Sequence, residues 1–141
     1  MNQMQVEIVS AEHAIYSGKA TMIIATAEGG EIGIQAGHAQ LLAALKPGQV
    51  RLLHDEDKTE EVFYISGGFI EVQPYAVTIL ADTALRAKDV DEVAAIEAKE
   101  RAEKALAERG TTQDFAKVAA ELAQAVAQLQ AIRMLRERGK H

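Results

Sequence analysis

DTALRAKD, residues 82–89, is where this 141-residue chain changes its periodicity. On its N-terminal side apolar residues recur with a period near two and glycine punctuates the runs. On its C-terminal side alanine dominates and the apolar spacing lengthens to three and four. Eight of the ten glycines (18, 29, 30, 33, 37, 48, 67 and 68) and both prolines, Pro47 and Pro74, precede the break. The change of period predicts an α+β chain: a β unit over residues 1–85 joined to a helical unit over residues 86–141. One short joint between two units raises the question of whether the second moves relative to the first.

Upstream of the joint, Met4, Val6 and Ile8 alternate with Gln5 and Glu7, the pattern of a half-buried strand. Ala14-Ile15-Tyr16 and Thr21 to Ala25 read as short strands separated by Ser17-Gly18. Glu28-Gly29-Gly30 reads as a turn before the strand Glu31 to Ile34. Leu41 to Leu45 fits a strand or one helical turn, ended by Pro47-Gly48. Gln49 to His54 and Glu61 to Ser66 flank an acidic hairpin tip, and Phe69 to Val72 and Val77 to Leu80 flank a turn at Gln73-Pro74-Tyr75. Short strands with turns every eight to twelve residues predict an antiparallel sandwich or barrel.

Downstream, Asp89 with Glu92 three residues on reads as an N-cap and its capping partner, and Gly110 suits a helix end. Thr111 with Asp114 repeats the start signal. The second helix carries Phe115, Val118, Leu122, Val126, Leu129 and Ile132 on one face and Lys117, Glu121, Gln124 and Gln128 on the other. A short glycine-containing loop between them predicts an antiparallel two-helix hairpin. Its interface is largely alanine, and a buried methyl contributes only about 0.8 kcal/mol. Ordering each residue costs roughly 1–2 kcal/mol of backbone entropy, so the hairpin is expected to dock on the β unit. Glu97–Arg101 and Glu100–Lys104 support helix by i,i+4 pairing. Durable helices with modest packing fit a conformational switch and fit an ordinary α-hairpin too.

Charge and composition narrow the function. Residues 1–85 carry 4 basic and 11 acidic side chains, net −7; residues 86–141 carry 11 and 10, net +1. A net charge of −6 disfavours nucleic acid or an anionic membrane surface as the main partner. There is no cysteine, which removes disulfides and thiolate metal sites. No apolar run approaches about 18 residues, so no direct membrane insertion is expected, and the N-terminus shows no signal peptide. The histidines at 13, 38, 54 and 141 have no metal-ligand spacing. Gly29-Gly30-Glu31-Ile32-Gly33 lacks the Gly-Lys-Ser/Thr ending of a phosphate loop. Ser66-Gly67-Gly68 is not a nucleophile elbow. Arg133, Arg136, Arg138 and Lys140 make a basic end that serves either the helix dipole and solubility or an acidic partner. No catalytic residues and no metal site emerge.

Two long stretches carry a resemblance: EGGEIGIQAGHAQLLAALKPGQVRLL, residues 28–53, and YISGGFIEVQPYAVTILADTALRA, residues 64–87. With the opening VEIVSAEHAIYSGKA they resemble the epsilon subunit of bacterial F-type ATP synthases, and the similarity continues into the helices. The resemblance implies a flattened β-sandwich of about ten short strands followed by a two-helix hairpin. It implies a non-catalytic rotor subunit of the central stalk, peripheral on the cytoplasmic face of the bacterial inner membrane and coupling ion transport to ATP synthesis. The implied partners are the gamma subunit and the c-subunit ring, with the alpha and beta subunits of the catalytic head when the helices extend and inhibit ATP hydrolysis. Carried over by position, Gly30, Glu31, Gly33 and His38 are expected to contact the ring and gamma, and Arg133, Arg136 and Arg138 to support inhibition. Ala36 and Gln40 stand where the family commonly has proline. Some members bind ATP through a run resembling L/I-D-x-x-R-A. Here Asp91 is kept but Ala94 replaces the arginine, so no cofactor is expected and regulatory ATP binding is expected to be weak or absent. The alternatives are a small enzyme using Glu31 and His38 as an acid–base pair, and a free-standing adaptor. The run Thr83 to Lys88 is the expected hinge.

Overall fold

Alternation in the first 81 residues builds strands whose inward side chains are almost wholly buried. The computed structural model describes residues 2–11, 13–55, 58–108 and 112–139, the side chains of 112–114, 138 and 139 excepted. Its strands are β1 (Met4–Ser10), β2 (Ala14–Ala20), β3 (Met22–Ala27), β4 (Gly30–Gln35), β5 (Leu41–His54), β6 (Thr59–Ile65), β7 (Gly68–Gln73), β8 (Ala76–Ala81) and β9 (Ala84–Arg86). A 3-10 turn at Ala87–Asp89 leads to α1 (Glu92–Ala107) and α2 (Thr112–Gly139).

The strand order is β2-β1-β8-β7-β5-β3-β4, with β6 added beside β5 and β9 beside β6. All pairings are antiparallel except β1 with β8. The sandwich core holds Met4, Val6, Ile8, Ile23, Ile34, Val50, Leu52, Phe63, Ile65, Ile70, Val72, Val77 and Ile79, each at most 1% exposed.

Nine strands appear among the described residues, in keeping with the sandwich of about ten short strands expected, but two of the expected breaks lie elsewhere. Ser17-Gly18 lies inside β2, whose ladder with β1 continues through Glu7↔Ser17 and Val6↔Gly18. Pro47-Gly48 lies inside β5, which takes the strand alternative at Leu41 to Leu45 and changes partners instead of ending. Leu41 to Leu45 pair with β7, and Gly48 to His54 pair with β6. The register with β3 jumps from Ala25↔Val50 to Ala27↔Leu45 across this point. Pro47 falls between the two ladders, where its missing N–H costs no strand bond. One strand thus serves both layers. Gly68 marks a close approach of another kind: with φ of +141°, a Cβ there would sit 2.0 Å from the Leu80 carbonyl oxygen.

The start of α1 also differs from expectation. Asp91, not Asp89, is the N-cap, its Oδ1 accepting from the Ala94 N–H at 3.1 Å, while Asp89 closes the preceding 3-10 turn. Gly110 and Thr111 lie outside the described residues. Among the described side chains of α2 the buried positions are Ala125, Ala127, Ala131 and Ile132, while Val118, Leu122, Val126 and Leu129 are half-buried and Phe115 is 59% exposed. The helix packs on α1 and on the sheet at once, so alanines occupy the lines of closest approach and larger side chains flank them.

Candidate functional site

The sandwich has two outer faces, and they are occupied differently. On the layer made by β6, β3, β4 and the second half of β5, α2 lies across Val62 and Tyr64. Those side chains, with Ala87, form a small cluster with Ala127 and Ala131, flanked by Val90 and Met134. Gln49 is buried in the same interface, its Nε2 donating to the Ala127 carbonyl at 3.0 Å and to Gln130 Oε1 at 3.1 Å. Gln128, expected on the face opposite the apolar stripe, is instead half-buried beside the Tyr64 hydroxyl. Burial pushes the Tyr64 phenol above its ordinary range, and the Gln128 contact partly opposes this.

The other layer, β1, β8, β7 and the first half of β5, leaves its outer face open. Leu42, Phe69 and Leu80 are 69%, 52% and 50% exposed. They are neighbours through the register: Phe69 faces Leu80 on β8 and Ala44 on β5, two residues from Leu42. Isolated exposed apolar residues need no explanation, but three adjacent ones on one sheet make a docking patch. The signal was in the sequence. The doublets Leu41-Leu42, Phe69-Ile70 and Ile79-Leu80 break alternation by placing apolar residues on both faces.

The expected site residues fall around these faces. Gly30, with φ of +128°, opens β4, and Glu31 follows on its exposed face. The Glu31 carboxylate lies 4.0 Å from the Arg51 guanidinium, which also lies 3.5 Å from Glu60. Gly33 sits midway along β4 opposite Ile24. His38 lies beyond the other end of that strand, its Nδ1 2.6 Å from the Ala39 carbonyl oxygen. The loop is tied to the β7–β8 turn by the Gly37 N–H donating to the Pro74 carbonyl at 2.5 Å. Glu31 and His38 are therefore not brought together: the strand from Glu31 to Gln35 alone spans roughly 13 Å. An acid–base pair must reach a common proton, and this pair does not.

At the helices, Arg133 is exposed and Arg136 donates to Glu92 Oε2, joining the end of α2 to the start of α1. The Arg138 side chain lies outside the described residues. Asp91 is engaged as the helix cap and Ala94 is exposed. Between sandwich and helices, Arg86 on β9 donates to Glu61 Oε1 at 3.1 Å and lies 5.3 Å from the Phe63 ring centre and 5.7 Å from that of Tyr16. Glu61 Oε2 also lies 2.8 Å from His54 Nε2. Burial first, then the Glu61 charge and hydrogen bond, raise the Tyr16 phenol, against the pull of Arg86. Sequence reasoning missed β9, which occupies the middle of the expected hinge. Three residues with no clear alternation leave no strand signal.

The comparisons agree with this architecture. Residues 3–87 match the family described as ATP synthase, Delta/Epsilon chain, beta-sandwich domain, and residues 88–133 match its long alpha-helix domain. The ATP synthase epsilon chain of Alkalilimnicola ehrlichii is 57% identical over 140 residues, covering 99% of both chains. That of Halorhodospira halophila is 52% identical with the same coverage. Among solved structures, a chain of the Euglena gracilis mitochondrial ATP synthase superposes with a TM-score of 0.71 at 23% identity, over 100% of this chain and 83% of that one. A chain from the Tetrahymena thermophila mitochondrial ATP synthase central stalk and c-ring gives 0.64 at 16% identity, over 92% and 96%. A two-faced sandwich carrying a docked helical hairpin, matched along both parts, places this chain in the ATP synthase delta/epsilon family.

Proposed function

We propose that the chain is the epsilon-type subunit of the central stalk of an F-type ATP synthase, a non-catalytic rotor component. One observation carries the reading: one outer face of the sandwich holds the chain's own hairpin, and the opposite face presents Leu42, Phe69 and Leu80 to a partner. On this reading the sandwich, residues 1–85, docks the gamma subunit through that open face. Gly30, Glu31 and Gly33 on β4 and His38 in the loop after it meet the ring of c subunits and gamma. No helix among the described residues is long and apolar enough to cross a membrane. Contact with the bacterial inner membrane then runs through the ring, on the cytoplasmic side. Residues 86–141 are the regulatory unit: docked as seen here they leave the catalytic head free, and extended they meet its alpha and beta subunits and restrain hydrolysis. Arg133, Arg136 and Arg138 supply the charge for that contact, and the docked state holds Arg136 on Glu92.

Deletion of residues 87–141 tests the reading in a reconstituted complex. Gamma is expected to copurify in near-stoichiometric amount, and ATP hydrolysis to rise. Loss of gamma contradicts the docking role; unchanged hydrolysis contradicts the regulatory one. Replacing Arg133, Arg136 and Arg138 by alanine is expected to raise hydrolysis as well. Regulatory ATP binding is expected to be weak or absent, since Asp91 caps α1 and Ala94 offers no phosphate partner. Micromolar affinity by isothermal titration contradicts that.

A further inference from the structure

We propose that Gln49 sets the register in which α2 docks on the sandwich, with Gln130 as the group it reads. Gln49 is buried beneath α2, at 7% exposure. Its backbone is already engaged, the N–H donating to Thr26 Oγ1 at 3.2 Å and the carbonyl accepting from the same hydroxyl at 3.3 Å. The side-chain amide has two N–H groups, and α2 takes both, one on the Ala127 carbonyl and one on Gln130 Oε1. The Ala127 carbonyl also serves the helix ladder four residues on, so it accepts Gln49 on its second lone pair.

The apolar contacts around this pair do not fix a register. Ala123, Ala127 and Ala131 recur every fourth residue, so sliding α2 by one turn, about 5.4 Å, presents alanine to the sheet again. The slide that moves Ala123 and Ala127 into the places of Ala127 and Ala131 replaces Gln130 by Val126, which does not accept a hydrogen bond as an amide does. A slipped helix would leave a buried Gln49 N–H without its partner, which is what discriminates between otherwise similar packings. A single polar contact specifying register over a repetitive apolar seam has precedent in coiled coils; here the contact is part-buried, Gln49 beneath the helix and Gln130 at its edge. The proposal concerns docking and holds whether or not the hairpin regulates hydrolysis.

The test uses the full isolated chain, which has no native cysteine. Spin labels at Glu71→Cys on β7 and Lys117→Cys on α2 report the distance between sandwich and helix, and amide exchange reports docking. The parent chain is expected to give one narrow distance distribution. Gln49→Met, similar in length without the donors, is expected to add a second population displaced by about 5 Å. Exchange within α2 is expected to quicken roughly tenfold, the size of the loss of one or two hydrogen bonds. Gln130→Met, which leaves every sandwich residue unchanged, is expected to do the same, and Gln130→Glu, which keeps an acceptor, to retain the narrow distribution. A single narrow distribution with unchanged exchange in either methionine variant overturns the proposal.

Discussion

The sandwich and the helical hairpin bury their surfaces with different residues. The sandwich closes over isoleucine, valine, leucine and phenylalanine, each removing about 1.5–3 kcal/mol worth of apolar surface from water. Within the hairpin and against the sheet, the buried positions are mostly alanines, Ala95, Ala102, Ala125, Ala127 and Ala131, whose methyls contribute about 0.8 kcal/mol apiece. Both parts are well-formed secondary structure, yet only the first has a core that can hold itself. The second depends on a few side chains, Val62, Tyr64 and Gln49, for its position. The difference teaches where the two kinds of packing part: at the end of β9, which Arg86 pins to Glu61, and not within the sheet.

The sharpest way to break the comparison is to weaken each part and see which transition moves. Phe63→Ala removes a fully buried ring from the sandwich and is expected to lower its unfolding free energy by about 3–5 kcal/mol in urea titration. Ala131→Glu puts a charge at a wholly buried point of the hairpin interface. Its cost is limited by release of α2, so amide exchange should show α2 unprotected while the sandwich keeps its stability within about 1 kcal/mol, the scatter of solvent-facing changes. A sandwich destabilised as much as by Phe63→Ala contradicts the separation.

Tyr64 gives a gentler handle. Its folded-state pKa is raised by burial above the ordinary 10.0. A raised pKa stabilises folding fully below the unfolded value, and that contribution is lost as pH climbs through the folded one. Docking, followed by amide exchange in α2, is therefore expected to hold up to about pH 10 and to weaken above it. Tyr64→Phe should remove the part of the pH dependence that belongs to α2. Smallest is Glu92→Gln, which frees Arg136 from a largely exposed pair and should cost no more than about 1 kcal/mol of hairpin stability.

Much of this fold was legible in the sequence because its periods are clean. Met4-Val6-Ile8 and the turn at Pro74 landed where alternation and turn chemistry placed them. Pro47-Gly48 misled because breakers end isolated strands, whereas here a strand changes partners across them. Asp91 displaced Asp89 as the cap because a 3-10 turn extends the linker by three residues. The hairpin's docking followed from its thin alanine interface, but the residue that steers it did not. An outward glutamine on a strand reads as solvent-facing until the helix over it is seen. The open patch was legible in its apolar doublets, and only the structure set those doublets side by side.

The central claim is that the hairpin leaves the sandwich to restrain the catalytic head. Gln49→Cys with Gln130→Cys places thiols where two hydrogen-bonded side chains now meet, so a short bifunctional thiol reagent can hold α2 docked. ATP hydrolysis by the reconstituted complex, measured before and after bridging the same preparation, tests the claim directly. Faster hydrolysis with the hairpin bridged is the expected result; equal rates contradict it.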